Sequence, residues 1–354
     1  MSTARLLPRG NAMLGKNKLL SDKRRFAAGI DVSPREVRLV IVSRKRRSAL
    51  PVRVEWLGAT PLSVGAMSGA QLVDRAAVAA ALSSLCARWP RRRAMRGMPC
   101  AMAIPGGATA IATFELDDIA SPRGRGRRVG EMDELEPVML EEAERLCGLG
   151  RDALSIDWWT SGEEAGRRFD RRSNDDTSVR RAPRVTLAAA PRRHLEARVE
   201  VAACAGVALA AVDGEPLAAL RALAYTAEHA MPSRDRYAAV WAGYDGIYGW
   251  RIADRTVEAS FRFPGGDHAD LESALGAIAA RGSRERALVG GDLRLLERVG
   301  LSLADIGERL GCRAEPFDCT PFCIDSSFLA GRAGVLHAPA FAVAFGLALR
   351  GVME

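Results

Sequence analysis

Two groups of three short strands, one beginning at Ala27 and the other at Tyr237, constrain the fold of this 354-residue chain more than any other feature. In both groups, apolar segments alternate with short turns rich in Gly, Pro and charged residues, a pattern that predicts an antiparallel β-meander. Helical and strand patterns alternate after each meander, as they do in an α/β layer. The sequence therefore predicts two α/β lobes of related design.

The segments between and after the meanders complete this outline. We predict a helix over 71–89, two short strands around Pro105, an acidic helix over 131–146 and a final apolar helix ending near Gly351. This order is the outline of an actin-like, ribonuclease H-like two-lobe α/β fold. Residues 161–182 have no apolar periodicity, and we expect a long loop there.

Composition excludes several classes of protein. With 48% hydrophobic and 27% charged residues, the chain has the composition of a soluble globular protein, and it has neither a long apolar span nor a secretory signal. We expect a cytoplasmic protein. The net charge of +8 comes almost wholly from Arg, since only four of the 51 basic residues are Lys, and the motifs of nucleic-acid binding are absent. A solvated surface is the favoured interpretation, with attraction to an anionic membrane as the alternative.

Catalytic and metal-binding motifs are not found in the sequence. The seven Cys do not show the paired spacing of a zinc site and indicate reduced, buried thiols, so we predict no metal site. Glu141, Glu142 and Glu144 follow the spacing of a solvated helix face rather than that of an acid/base pair. No catalytic residue is predicted.

Five blocks in order along the chain carry a family resemblance. The segment GIDVSPREVRLV at 29–40 resembles the first phosphate hairpin of the PilM family of type IV pilus assembly proteins, which are cytoplasmic relatives of the division protein FtsA. Four further blocks agree with that family: AMAIPGGATAIATFEL, LEEAERLCGLGRDALSIDWW, RVTLAAAPRRHLEARVEVAACAGVALAAVDGEPLAALRAL and AFAVAFGLALRG.

The resemblance implies a domain organisation with an inserted subdomain in lobe one and a shortened lobe two. We expect a disordered basic leader (1–25), the first part of lobe one (26–98), the inserted subdomain (99–193), the return to lobe one (194–233), lobe two (234–336) and a C-terminal helix that packs on the body (337–354).

The resemblance also implies a vestigial nucleotide site. Its residues would be an acid at the end of the first strand and small residues of the phosphate and adenosine loops: Asp31, Ser33, Gly243, Gly265, Gly266, Gly290 and Gly291. The glycine pairs also fit a plain interpretation as tight turns. ATP with Mg²⁺ is the cofactor that the family implies, but the departures described next favour no cofactor.

Three departures from the family pattern weaken this site. Pro34 has no N–H with which to hold phosphate, and Trp241 stands where the family has its second metal-directed acid. Asp245 would replace that acid only if the second hairpin were rebuilt. Only about two dozen residues separate Gly266 from Gly290, where the family fits a further subdomain. We therefore predict a degenerate ATPase.

The partner that the resemblance implies is the N-terminal cytoplasmic tail of an inner-membrane PilN-like protein. An exposed strand edge with pockets can capture an extended peptide, and we expect such a groove beside the strand CAMAIPG. The candidate lining residues are Met102, Ile104, Ala188, Ala190, Arg192 and Arg193. The alternative is that this strand belongs to the buried core.

The predicted function is that of a cytoplasmic scaffold for type IV pilus biogenesis, recruited to the inner membrane through its partner. Two alternatives remain open. An active ATPase of the sugar-kinase and actin superfamily is disfavoured by Trp241. A division scaffold of the FtsA type should carry an amphipathic membrane helix after its last core helix, whereas this sequence stops at Glu354.

Overall fold

A computed structural model describes residues 24–45, 51–91, 95, 97–115, 132–161, 184–230, 236–263, 268–279, 286–298, 300–324 and 334–353. Its strands are β1 (Arg24–Val32), β2 (Glu36–Lys45), β3 (Arg53–Pro61), β4 (Met67–Ser68), β5 (Gln71–Leu72), β6 (Cys100–Ile104), β7 (Ala110–Glu115), β8 (Leu154–Ser161), β9 (Arg184–Pro191), β10 (Leu209–Gly214), β11 (Tyr237–Gly243), β12 (Gly246–Ala253), β13 (Thr256–Phe263), β14 (Arg286–Gly291) and β15 (Arg313–Pro316).

The α-helices are α1 (Arg75–Arg88), α2 (Met132–Cys147), α3 (Arg192–Cys204), α4 (Glu215–Ala230), α5 (His268–Ala279), α6 (Leu293–Arg298), α7 (Leu303–Leu310) and α8 (Ala342–Met353). Asp74 caps the N-terminus of α1 by accepting a hydrogen bond from the Ala77 N–H, so the helix begins a few residues later than expected. A 3₁₀ helix, Gly334–Phe341, leads into α8.

Two five-stranded sheets share one strand order. In the first sheet, β1, β2 and β3 form an antiparallel meander, and β6 and β10 add to it in parallel, giving the order β10-β6-β1-β2-β3. The second sheet repeats this arrangement as β13-β12-β11-β14-β15. The internal duplication predicted from the two meanders is confirmed.

The described parts of the two sheets and their helices pack in five layers. Helices α1 and α3 cover one face of the first sheet, and α5, α6 and α7 cover the outer face of the second. Between the two sheets lie α4 and α8, whose apolar side chains form the largest apolar cluster together with residues of both sheets. Helix α8 is buried along nearly its whole length, as its uniformly apolar sequence requires.

Glycines allow α8 to approach its neighbours closely. A Cβ on Gly29 of β1 would lie 1.9 Å from the Ala344 carbonyl oxygen, and a Cβ on Gly346 would lie 1.8 Å from the Ala218 carbonyl oxygen of α4. The C-terminal helix therefore packs on β1 and α4 through contacts that only glycine permits.

A third sheet, of order β7-β9-β8, forms the inserted unit with α2 packed on one of its faces. The boundary predicted at residue 99 is wrong, because Cys100–Ile104 pairs with β1 and β10 inside the first sheet. Likewise, Arg192 and Arg193 begin α3, which packs on the first sheet. The inserted unit thus runs from β7 to β9.

Other predictions concern the start of the first strand, two loops and the length of the second lobe. The first strand starts at Arg24 rather than after a leader ending at residue 25, and the leader up to residue 23 lies outside the described residues. Most of the predicted loop at 161–182, and the pair Gly265 and Gly266, also lie outside them. Between β13 and β14 the described residues form one helix, α5, in agreement with a shortened second lobe.

Candidate functional site

The turn between β1 and β2 faces the cleft between the lobes and carries a buried ion pair. Asp31 and Arg38 lie directly opposite each other in the β1–β2 ladder, so their side chains project from the same face. Arg38 Nη1 donates to Asp31 Oδ2 over 2.8 Å, and Arg38 Nε donates to Glu36 Oε1 over 2.8 Å. Asp31 and Arg38 are only 3% and 4% exposed.

This pairing determines what the Asp31 carboxylate can do. Burial alone would lower the pKa of Arg38, but the Asp31 and Glu36 carboxylates raise it above its ordinary value, so the guanidinium stays ionised. Burial raises the pKa of Asp31, and the Arg38 guanidinium works against that rise and offsets the carboxylate charge, so a metal ion is not needed to neutralise it. Arg38 thus serves as a built-in counter-ion for Asp31.

The β1–β2 turn has few backbone N–H groups left for phosphate. The Ser33 N–H donates to the Glu36 carbonyl oxygen over 3.0 Å, and the Glu36 N–H donates to Ser33 Oγ over 3.2 Å. Pro34 has no N–H to donate. Ser33 therefore stabilises the turn itself, and the Ser33 and Glu36 N–H groups are used within the turn rather than offered to phosphate.

In the second hairpin, an aromatic side chain takes the place of the expected acid. Trp241 is buried in the core between the lobes, where its ring centroid lies 5.2 Å from that of Tyr248 on the opposite strand. Gly243 precedes the turn, and a Cβ there would lie 2.5 Å from the Trp241 ring. The residues at this position therefore pack the core and offer no metal ligand.

Asp245 occupies the tip of the second hairpin but points across to lobe one. Its Oδ2 accepts hydrogen bonds from the Gly107 N–H of lobe one and from the Tyr248 hydroxyl, the latter at 2.9 Å. The sequence suggested that Asp245 would act as a metal-directed acid only in a rebuilt hairpin. The structure shows an ordinary two-residue turn at Tyr244 and Asp245.

Gly290 and Gly291 at the end of β14 serve close packing. A Cβ on Gly291, whose φ is +102°, would lie 2.1 Å from the Ala242 carbonyl oxygen. Gly290 packs against Ala342, Leu223 and Phe317. Both residues bring β14 against the second hairpin and are buried there.

Directly after these glycines, Asp292 forms an internal network that the sequence did not predict. Its carboxylate accepts from Tyr244 Oη at 2.9 Å and from Arg294 Nε at 2.7 Å. Burial alone would raise the pKa of Asp292, but the hydrogen bonds from Arg294 and Tyr244 lower it below its ordinary value. Asp292 is therefore an ionised residue that is fully engaged within lobe two.

Glu215 and Arg198 are two further residues near the cleft that the sequence did not identify. Glu215 begins α4 at the carboxyl end of β10 and is 8% exposed; burial raises its pKa well above the usual range, and Asp31 and Asp245 add to that effect. Arg198 is fully buried, and its Nε donates to the Ala103 carbonyl oxygen over 2.6 Å. Burial lowers the pKa of Arg198 to about 10. A signal was available, since Glu215 directly follows an apolar strand and begins a helix.

Taken together, the cleft residues do not fit ATP with Mg²⁺. The first acid, Asp31, is paired with Arg38, and the Ser33 N–H of the β1–β2 turn donates within that turn. Trp241 stands in place of the second acid. Metal-assisted attack on a phosphoryl group needs free carboxylates and donors aimed at phosphate oxygens. No group of His, Cys, Asp and Glu suited to hold a metal ion occurs within the described ranges.

The groove predicted beside CAMAIPG is wrong in its location. β6 is paired with β1 on one side and with β10 on the other, so it has no free edge. Met102 and Ile104 are 0% and 2% exposed. Both residues belong to the core, which is the alternative that the sequence left open.

The other predicted groove residues lie on the inserted unit and at its junction with lobe one. Ala188 and Ala190 of β9 lie on the sheet face opposite α2, in the same rows as Ile111 and Ser155 of the neighbouring strands. Arg192 Nη2 donates to the Leu154 carbonyl oxygen over 3.2 Å and so ties α3 to the inserted unit. Arg193 is exposed.

A shallow depression lies next to this junction, between β5 and the first turns of α1 and α3. Its lining is Gln71, Leu72, Arg75, Arg193, His194 and Ala197. Leu72 and Ala197 form an apolar floor, whereas Arg75 and Arg193 are exposed at the rim. Burial, Arg198 and Arg193 lower the pKa of His194. The depression therefore combines an apolar floor with two permanent positive charges.

Among the helices of the described ranges, none combines the length and the apolar character that crossing a bilayer requires.

Burial raises the pKa of the Cys86 thiol to about 11 and that of Cys100 to about 12, so neither is a reactive thiolate at neutral pH.

Comparison with known proteins adds one strong structural likeness. No protein-family model and no curated protein match the sequence. A solved structure described as the PilM-PilN type IV pilus biogenesis complex superimposes with a TM-score of 0.66 and 17% identity, over 92% of this chain and 98% of that one. The actin-like fold expected from the PilM resemblance is thereby confirmed.

Two other solved structures are similar over most of their length but less closely. One is a Bacteroides thetaiotaomicron protein with an actin-like ATPase fold (TM-score 0.43, 9% identity, 85% of this chain and 94% of that one). The other is the ethanolamine utilization protein EutJ from Carboxydothermus hydrogenoformans (TM-score 0.41, 14% identity, 92% of this chain and 89% of that one).

Proposed function

We propose that this protein is a PilM-like scaffold of type IV pilus biogenesis that has given up ATP hydrolysis. It would act in the cytoplasm and bind the cytoplasmic tail of a PilN-like inner-membrane protein, through which it would reach the membrane. The likeness to the PilM-PilN structure supports the scaffold role at the level of fold. The observation that carries the proposal is the buried ion pair between Asp31 and Arg38.

The ion pair distinguishes a scaffold from an ATPase with the same fold. An active enzyme needs the Asp31 carboxylate free to orient a metal ion and its water. Here the carboxylate is bound to the Arg38 guanidinium. The Ser33 N–H of the adjacent turn donates to the Glu36 carbonyl oxygen within that turn. Loss of hydrolysis leaves binding of other proteins as the activity that the fold can still support.

Hydrolysis provides one test. The purified protein should convert ATP no faster than an Asp31→Ala variant, with or without Mg²⁺, because the wild-type carboxylate is already neutralised by Arg38. Phosphate release measured at equal protein concentrations checks this. A metal-dependent rate that falls in an Asp31→Ala variant with an unchanged circular dichroism spectrum would show an active ATPase and overturn the degenerate-site proposal.

For the partner site, we place the tail peptide at the depression between β5, α1 and α3. A disordered tail needs apolar contacts for affinity and charges for orientation, and the depression offers Leu72 and Ala197 on its floor with Arg193 at its rim. Arg75 pairs with Glu200 on α3, which leaves Arg193 as the main source of positive charge. The favoured peptide is therefore extended, apolar and acidic at one end.

Charge reversal at the rim tests this placement. An Arg193→Glu variant should bind the PilN-like tail peptide about tenfold more weakly, because an acidic end would meet a like charge. Isothermal titration calorimetry measures the affinity. Arg313→Glu, the same change at an exposed residue of β15 in lobe two, is the matched control and should bind as wild type does.

Equal weakening in both variants would indicate a long-range charge effect, and unchanged binding by Arg193→Glu would move the peptide site away from the depression. Failure of the wild-type protein to bind the peptide would contradict the scaffold proposal itself.

A further inference from the structure

We propose that Asp245 and Tyr248 form an interlobe clasp with the Gly106–Gly107 turn, and that this clasp holds the cleft shut without any ligand. The inference concerns conformational control and stands apart from the choice of partner. In two-lobe folds of this kind, closure around a ligand normally determines the relative position of the lobes. The clasp would provide that closure through the protein's own side chains.

The centre of the clasp is one carboxylate oxygen that accepts two hydrogen bonds. Asp245 Oδ2 accepts from the Gly107 N–H and from the Tyr248 hydroxyl. Gly107 lies in the 3₁₀ turn Gly106–Ala108, which directly follows β6 of the first sheet, whereas Asp245 and Tyr248 belong to the second sheet's hairpin. One charged acceptor therefore connects the two lobes, and hydrogen bonds to charged acceptors are among the stronger ones in proteins.

The turn on lobe one has no room for side chains where lobe two meets it. A Cβ on Gly106 would lie 2.3 Å from Tyr248 Oη and 2.6 Å from Pro216 Cγ. A Cβ on Gly107 would lie 3.1 Å from Asp245 Oδ2. These glycines let the Tyr248 ring and the Asp245 carboxylate reach the backbone of lobe one.

Arg262 of β13 supports the clasp from lobe two. Its guanidinium carbon lies 5.6 Å from the centroid of the Tyr248 ring, in cation–π geometry, and its Nη2 lies 3.3 Å from the position of a Cβ on Gly107. Arg262 thus places a positive charge over the Tyr248 ring and near the same Gly107 backbone that the Asp245 carboxylate reaches.

Hydrogen exchange at the Gly107 amide measures the clasp directly. In an Asp245→Ala variant, we expect this amide to exchange about tenfold faster or more, because it loses its charged acceptor. Tyr248→Phe, which removes only the hydroxyl, should give a smaller increase. Asp152→Ala, at an exposed turn of the inserted unit, is the matched control and should leave the rate unchanged.

Small-angle X-ray scattering of the same variants reports whether the lobes separate. The radius of gyration should rise in Asp245→Ala and stay at the wild-type value in Asp152→Ala. An unchanged Gly107 exchange rate in folded Asp245→Ala protein would overturn the proposal, and so would faster exchange with an unchanged radius of gyration. If Asp245→Ala does not fold, the Tyr248→Phe exchange rate decides: an increase supports the clasp and no change overturns it.

Discussion

An Arg38→Met variant is expected to lose about 3–5 kcal/mol of unfolding free energy, because it leaves the Asp31 carboxylate buried without its cation. Asp31 is 3% exposed, and its hydrogen bond from Arg38 Nη1 would disappear with the guanidinium. Met preserves much of the apolar stem of Arg38, so the loss would come from the charge rather than from packing. Urea unfolding monitored by circular dichroism gives the free energy.

The double variant Asp31→Asn/Arg38→Met is the matched control. It removes both charges, so most of the lost stability should return, in line with buried ion pairs that tolerate joint replacement but not the loss of one partner. If Arg38→Met alone were as stable as wild type, Asp31 would not depend on Arg38. The carboxylate would then be free for a metal ion, and the reason for excluding ATP hydrolysis would fail.

An Ile104→Asp variant is expected to fail to fold. Ile104 is 2% exposed in β6, which is paired on both sides, and a carboxylate there would have to be buried without a partner or protonated. That cost is comparable with the whole stability of a domain, about 5–15 kcal/mol. Soluble yield and the far-ultraviolet circular dichroism spectrum report the outcome.

Ile111→Asp provides the comparison for this experiment. Ile111 lies on β7 of the inserted unit, seven positions further along the chain, and is 38% exposed, so a carboxylate there remains hydrated and the fold should survive. If the Ile104→Asp protein folded well but no longer bound the tail peptide, the partner groove would have to lie at β6. It would also show that the central position of that strand is wrong.

The overall fold could be predicted because the two meanders encode it locally. Hairpin turns and apolar strands are short-range signals, and their repetition at Ala27 and Tyr237 implied the shared strand order. The position of β6 could not be predicted in the same way. An apolar strand such as CAMAIPG can lie at the edge or in the centre of a sheet. Its position depends on partners that are distant in sequence, here β1 and β10.

The sequence predicted which acids and glycines belong to the candidate site, but it did not predict their ion-pair and hydrogen-bond partners. Asp31 and Arg38 are seven residues apart in sequence, and only the length of the turn between β1 and β2 places them opposite each other. Glu215 and Arg198 reach the cleft from α4 and α3, elements whose relative position depends on tertiary packing. For that reason Arg198 could not be identified from the sequence, whereas Glu215 carried a local signal, since it directly follows an apolar strand and begins a helix.

Titration of the purified full-length protein with the PilN-like tail peptide, with and without Mg²⁺ and ATP, tests the central claim most directly. The proposed scaffold function predicts saturable binding with the same affinity in both conditions and no heat from ATP alone, because Arg38 neutralises the Asp31 carboxylate and the Ser33 N–H donates within its own turn, while the peptide site lies at the depression beside α3. Absence of peptide binding, or binding that requires ATP, would contradict it.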